Sequence, residues 1–134
     1  MERVFVDTGG WVAHFNADDP DHAPVESVLT AWEGRLLTSD YVFDELGTLV
    51  RFRVGHSEAR KVGDALRSGD IARVIDIEHR DRDKAWRRLV RNRDKAYSFT
   101  DCTSFAIMDR LGITTALAVD EDFRQAGYHV LPAL

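Results

Sequence analysis

Short apolar runs rich in β-branched residues alternate along this chain with longer stretches whose apolar residues recur every three or four positions. That alternation leaves few folds open. The runs are Val4-Phe5-Val6, Leu36-Leu37-Thr38, Val74-Ile75-Asp76-Ile77, 115–119 and 128–131. Helical spacing is carried by Trp11, Val12 and Phe15, by Val25, Val28, Leu29 and Trp32, and by Val42, Phe43, Leu46, Leu49 and Val50. It returns over 56–66, 81–92 and 100–111. Short runs between longer helices are strands covered on both faces, so the pattern predicts an α/β fold with a mainly parallel sheet between two helical layers. Ligands of such sheets bind beyond the C-terminal ends of the strands.

At 134 residues and 44% hydrophobic, the chain can bury one core without staples, and nothing marks a second domain. The reading is one domain over 1–134. No apolar run approaches the roughly 18 residues of a membrane span, and the start lacks a secretory pattern. Cys102 has no second thiol to pair with, which suits a reducing compartment. A soluble, cytoplasmic protein with no membrane partner is expected. His14, His22, His56, His79 and His129 are scattered without a zinc-binding spacing.

The informative residues are acidic. Asp7 and Asp120 each follow an apolar run, while Glu45 and Asp101 stand on helices. At about 100° per residue, Glu45 borders the buried face of its helix and Asp44 points to water. Asp101 shares a face with Phe105 and Met108 on a helix with little polar surface, so it faces the interior or a cleft. Each has a plainer reading: Asp7 and Asp101 as helix caps, Glu45 as a paired edge residue, Asp120 as a turn residue. Together they point elsewhere, because carboxylates converging at one end of a sheet repel unless a cation or protons neutralise them. Oxygen donors favour Mg²⁺ or Mn²⁺, and the chemistry implied is phosphoryl transfer to water.

The net charge of −5 argues against a nucleic-acid partner, yet residues 80–95 carry a local balance of +5, leaving −10 for the rest. On the helix over 81–92, the cations Arg80, Lys84, Arg87, Arg88 and Arg91 fall on the side away from the apolar stripe. A solvated face is the plain reading of charge on a helix, but five like charges on one side also suit phosphate contact, and Arg51, about two turns after Glu45, is a candidate either for the same backbone or for the C-terminal end of its own helix. Trp11, Trp32 and Trp86 each fit an apolar stripe, which predicts core or interface positions rather than platforms for bases.

The stretches Val4-Phe5-Val6-Asp7-Thr8, Asp44-Glu45, 97–106 and 117–128 resemble PIN-domain proteins, and more closely the VapC toxins of toxin–antitoxin pairs. The resemblance spans nearly the whole chain. It implies a PIN-like three-layer α/β/α sandwich around a central, mainly parallel sheet of about five strands. It further implies an endoribonuclease dependent on Mg²⁺ or Mn²⁺, with Asp7, Glu45, Asp101 and Asp120 as catalytic and metal-binding residues. The implied partners are RNA (transfer or ribosomal RNA being the candidates), a VapB-like antitoxin and a second copy of the chain. The chain departs from the pattern at Ala118, where related proteins often carry a hydroxyl, and at Asp122, where a histidine is common; Asp122 is therefore the rival to Asp120 as fourth acid. Thr8, and Thr100 or Thr103, are candidates to hold a carboxylate or a water. The other reading from the same residues is a non-catalytic PIN-like module that binds RNA or protein. A phosphatase using the first aspartate is disfavoured, since position 9 is glycine.

Overall fold

The computed structural model describes residues 2–133. Five strands form one all-parallel sheet: β1 (Arg3–Val6), β2 (Arg35–Ser39), β3 (Arg73–Ile75), β4 (Thr115–Leu117) and β5 (His129–Leu131), in the order β3-β2-β1-β4-β5. The mainly parallel sheet of about five strands is thus found. Its central strand is the apolar run at the start of the chain. Val4, Phe5 and Val6 are each fully buried, as a strand covered on both faces must be.

Seven helices among the described residues supply the crossovers: α1 (Thr8–Phe15), α2 (His22–Ala31), α3 (Asp40–Arg53), α4 (His56–Arg67), α5 (His79–Arg91), α6 (Phe99–Leu111) and α7 (Asp122–Gln125). Parallel crossovers are right-handed, so α1 to α4, which link β1, β2 and β3, cover one face. The return to β4 and on to β5 places α5, α6 and α7 on the other. Helix contacts largely divide the same way, α1 with α2 and α3, and α6 with α5 and α7, while α3 and α6 meet across the two layers.

Local signals set the helix ends. Ser39 Oγ accepts the Val42 N–H at 3.1 Å and starts α3. Ser98 Oγ accepts the Asp101 N–H while Asp101 Oδ2 accepts the Ser98 N–H, both at 3.0 Å, a reciprocal capping box that starts α6. Gly112, at φ 70°, ends α6 in the left-handed conformation, with the Ile113 N–H returning to the Met108 carbonyl at 2.8 Å. Helix α5 starts at His79, two residues before the expected Asp81. There Asp81 Oδ2 accepts the Glu78 N–H at 2.9 Å, so Asp81 closes the first turn rather than preceding it. Asp81 is buried and held by Arg110 through two 2.9 Å bonds, which pins the start of α5 to the end of α6.

Candidate active site

The strand order reverses direction between β1 and β4, the crevice where ligands of open α/β sheets bind. Asp7 stands directly after β1, and its N–H donates to the Leu117 carbonyl at the end of β4, 3.0 Å away. Asp120 lies in the loop leaving β4, Asp101 in the first turn of α6, and Glu45 in the second turn of α3. All four stand toward the C-terminal end of the sheet, and Asp7 lies within range of the charges of Asp101, Asp120 and Glu45.

Asp7 occupies the cap position of α1 yet its side chain makes no capping bond, and it is 4% exposed. Its Oδ1 is buried without a hydrogen-bond partner. Burial first, then the charge of Asp101, hold its carboxyl well above the usual range; the Thr8 N–H opposes them only in part, and Asp120 and Glu45 add to the rise. Asp101 stands one turn inside α6, where one of its oxygens accepts the N–H of the cap residue Ser98. Burial pushes its carboxyl up to about 7, against the Ser98 bond, with Asp122 and then Asp120 adding to the rise. Asp120 is exposed, accepts the Asp122 N–H at 3.1 Å, and is raised chiefly by desolvation. Asp122 is half-buried and faces Asp101, so both rivals for the fourth position stand at the site.

The donors are all oxygens, and a buried carboxylate oxygen without a partner beside further acidic groups fits a hard divalent cation. Among the described residues no three acidic, histidine or cysteine side chains are drawn together at metal-binding geometry. Of the candidate hydroxyls, Thr103 donates to the Thr100 carbonyl at 2.6 Å and so serves its own helix, whereas the Thr8 hydroxyl is buried and unpartnered.

The sequence reading missed Thr38. Its hydroxyl is fully buried, donates to the Val6 carbonyl at 2.9 Å and accepts the Trp11 indole N–H at 3.2 Å. That links β2, α1 and the end of β1 just before Asp7. A threonine inside a short strand gives no sign of such a link.

Helix α1 comes close to β4 only because Gly9 and Gly10 lack side chains. A Cβ on Gly10 would meet Leu117 Cδ2 at 2.4 Å and the Leu117 carbonyl oxygen at 2.9 Å. The carbonyl belongs to a paired strand and cannot retreat. Gly10→Ala is therefore expected to destabilise the protein by about 1–3 kcal/mol despite alanine's better helix propensity. Urea denaturation with cleavage assays on the folded fraction would check this; a stabilised variant would sink it.

The basic face departs from expectation in two places. Arg88 lies over the Phe105 ring, 4.6 Å from its centroid, and Arg80 pairs with Glu78. Lys84, Arg87 and Arg91 stay exposed, and Arg51 lies 5.7 Å over the exposed Phe52 ring. Trp11 is buried as expected and Trp32 partly so, but Trp86 is 59% exposed and so is not a core residue. It stands beside Phe99, which in turn neighbours Tyr41. A hollow of about 740 Å³ lies at the opposite end of the sheet among Arg3, Arg35, Arg73 and Arg110, away from Asp7, Glu45, Asp101 and Asp120.

The model of the PIN domain matches residues 4–127. The 23S rRNA-specific endonuclease VapC20 of Mycobacterium tuberculosis is 38% identical over 93% of this chain and 95% of its own length. Its crystal structure, described as that of a sarcin–ricin loop cleaving toxin, superposes with a TM-score of 0.88 at 36% identity, covering 93% of this chain and 95% of that one. Ribonuclease VapC26 of the same organism is 28% identical over 87% of this chain and 86% of its own. VapBC2 from Rickettsia felis, solved bound to a DNA fragment from its promoter, shares the fold at a TM-score of 0.69 and 12% identity, over 96% of both chains.

Proposed function

Because the chain belongs to the PIN-domain family, as a VapC-type ribonuclease toxin, we propose that it cuts large-subunit ribosomal RNA at the sarcin–ricin loop, using Mg²⁺ or Mn²⁺ held by Asp7, Glu45, Asp101 and Asp120. The carrying observation is Asp7: a buried carboxylate with an unpartnered oxygen, set against Asp101 where a parallel sheet presents its ligand crevice. When bound, the divalent ion makes water nucleophilic at neutral pH and offsets charge on the attacked phosphodiester.

The protein's own part is positioning. Asp7 and Asp101 supply the buried oxygen donors, fixed by the end of β1 and by the α6 capping box. Glu45 and Asp120, at the more open side, complete the set of donors, and Asp122 stands beside Asp101. Lys84, Arg87 and Arg91, and Arg51 further off, take the RNA backbone. Arg88 and Arg80 contribute less, being engaged with Phe105 and Glu78. The choice of ribosomal over transfer RNA follows the likeness to VapC20. A VapB-like antitoxin and a second copy of the chain are the protein partners on this reading, and one PIN domain accounts for 1–134.

Ribosomes, isolated 23S rRNA and transfer RNA incubated with antitoxin-free protein would test this, in Mg²⁺, in Mn²⁺ and in chelator. A discrete cut in the sarcin–ricin loop that chelator abolishes is expected. Binding of RNA without cleavage in either metal would overturn catalysis and leave the non-catalytic module.

A further inference from the structure

Trp86, Phe99 and Tyr41 form an aromatic row from α5 across the start of α6 to the start of α3. We propose that this row is a stacking platform for an unpaired base of the RNA, a reading that rests on the ribonuclease function above. The Trp86 and Phe99 centroids are 6.4 Å apart at 63°, and those of Phe99 and Tyr41 6.1 Å apart at 54°. Contacts of this edge-on kind fix the indole without covering its face, and Trp86 remains 59% exposed.

Position and charge say what the face is for. Phe99 precedes Asp101 by two residues, and Tyr41 precedes Glu45 by one helical turn, so the row joins two sides of the acidic site. On α5, Lys84, Arg87 and Arg91 are exposed and form no ion pair among the described residues. The cores of protein interfaces are depleted in charge, whereas an exposed aromatic that adjoins the acidic site, on a helix whose next face carries Lys84, Arg87 and Arg91, suits a base whose phosphates lie along that helix. Looped RNA offers such bases and a paired duplex does not. Stacking of one base is worth about 1–3 kcal/mol, a five- to 150-fold change in affinity.

The test uses Asp7→Asn protein, so that binding is read without cleavage, and two RNAs of equal length, a sarcin–ricin hairpin and a perfect duplex. Adding Trp86→Ala should weaken hairpin binding about ten- to a hundredfold, with Trp86→Phe returning it to within about fivefold, and duplex binding unmoved. In cleaving protein, Trp86→Ala should raise the half-saturating hairpin concentration and change the single-turnover rate at saturation less than about threefold. Unchanged hairpin binding would overturn the proposal. So would a Trp86→Ala protein that sediments at half the parent's mass and loses RNA only in step, which would make the row an interface between copies. Because the binding arm needs no cleavage, a wild type that cuts nothing would defeat the ribonuclease reading alone.

Discussion

Asp7→Asn is expected to silence RNA cleavage and, in chelator at pH 7.5, to make the protein more stable. The first effect follows from removing a charged oxygen donor: interactions of this kind supply several kcal/mol of transition-state stabilisation, so a loss of at least about a hundredfold is expected. The second follows from the raised carboxyls of Asp7 and Asp101. An acid that holds its proton more tightly in the folded chain than in the unfolded one favours folding at low pH. Its contribution disappears as pH rises from the ordinary carboxylate range toward the folded value, about 7 for Asp101. Wild type in chelator should therefore melt lower at pH 7.5 than at pH 5.5, and Asp7→Asn should melt higher than wild type at pH 7.5 by about 4–10 °C, the equivalent of about 1–3 kcal/mol. The histidines are common to both proteins and cancel in the difference. Mg²⁺ or Mn²⁺ should raise the wild-type midpoint and leave the variant's nearly unmoved. A variant less stable than wild type at pH 7.5, or a gap that ignores pH, would count against a strained acidic centre.

Arg110→Ala is expected to be the most damaging change outside that centre. Arg110 donates two 2.9 Å bonds to Asp81 and pairs with Glu78 at 3.0 Å, while the Asp81 side chain is 2% exposed. Burial alone would raise the Asp81 carboxyl, but the Arg110 bonds, the Glu78 N–H and the neighbouring charges of Arg110 and Arg80 hold it below its ordinary value. Truncating the arginine leaves a buried charge with one remaining donor, for about 2–4 kcal/mol and a midpoint lower by about 8–15 °C at pH 7. The sign with pH is opposite to that of Asp7. The pair's contribution is full above the ordinary carboxylate range and is lost as pH falls through the depressed folded value, so the two proteins should converge toward pH 3. Asp81→Asn combined with Arg110→Ala should recover part of the loss, since no unpaired charge is left. A gap that persists at pH 3, or a double variant as weak as the single, would show that Arg110 acts through packing rather than charge.

What could be read from the sequence follows physical range. The run Val4-Phe5-Val6 has no polar alternation, which only a strand buried on both faces tolerates, and from it the layers and the placing of Asp7 at a strand end follow. Helix α7 escaped notice because four residues are too few for a period to show. On α5 the apolar stripe includes Trp86 and Val90, but the buried wedge is narrower: Ala85 is 1% exposed while Trp86 and Val90 are 59% and 60%. A helical wheel gives the direction of a side chain and not the distance to what lies opposite. For the same reason it counted Arg88 among the solvent-facing cations, although the Phe105 ring lies within its reach. The depth of Asp7 and the hydroxyl link through Thr38 depend on three elements meeting, and no local pattern announces them.

The strand order also fixes when, during synthesis, the protein can become active. The strand β1, earliest of the five in chain order, is the middle of the sheet, and one of its two neighbours, β4, is made more than a hundred residues later, Phe5 pairing with Ala116. Until that segment has emerged, one edge of β1 is open, the crevice beside Asp7 has one wall, and Asp120 and Asp122 are absent from it. Sheets that close through such distant contacts form late and as a unit. A nascent chain therefore carries Asp7 long before it carries a site, and the acidic centre cannot assemble until β4 and the loop that follows it have emerged.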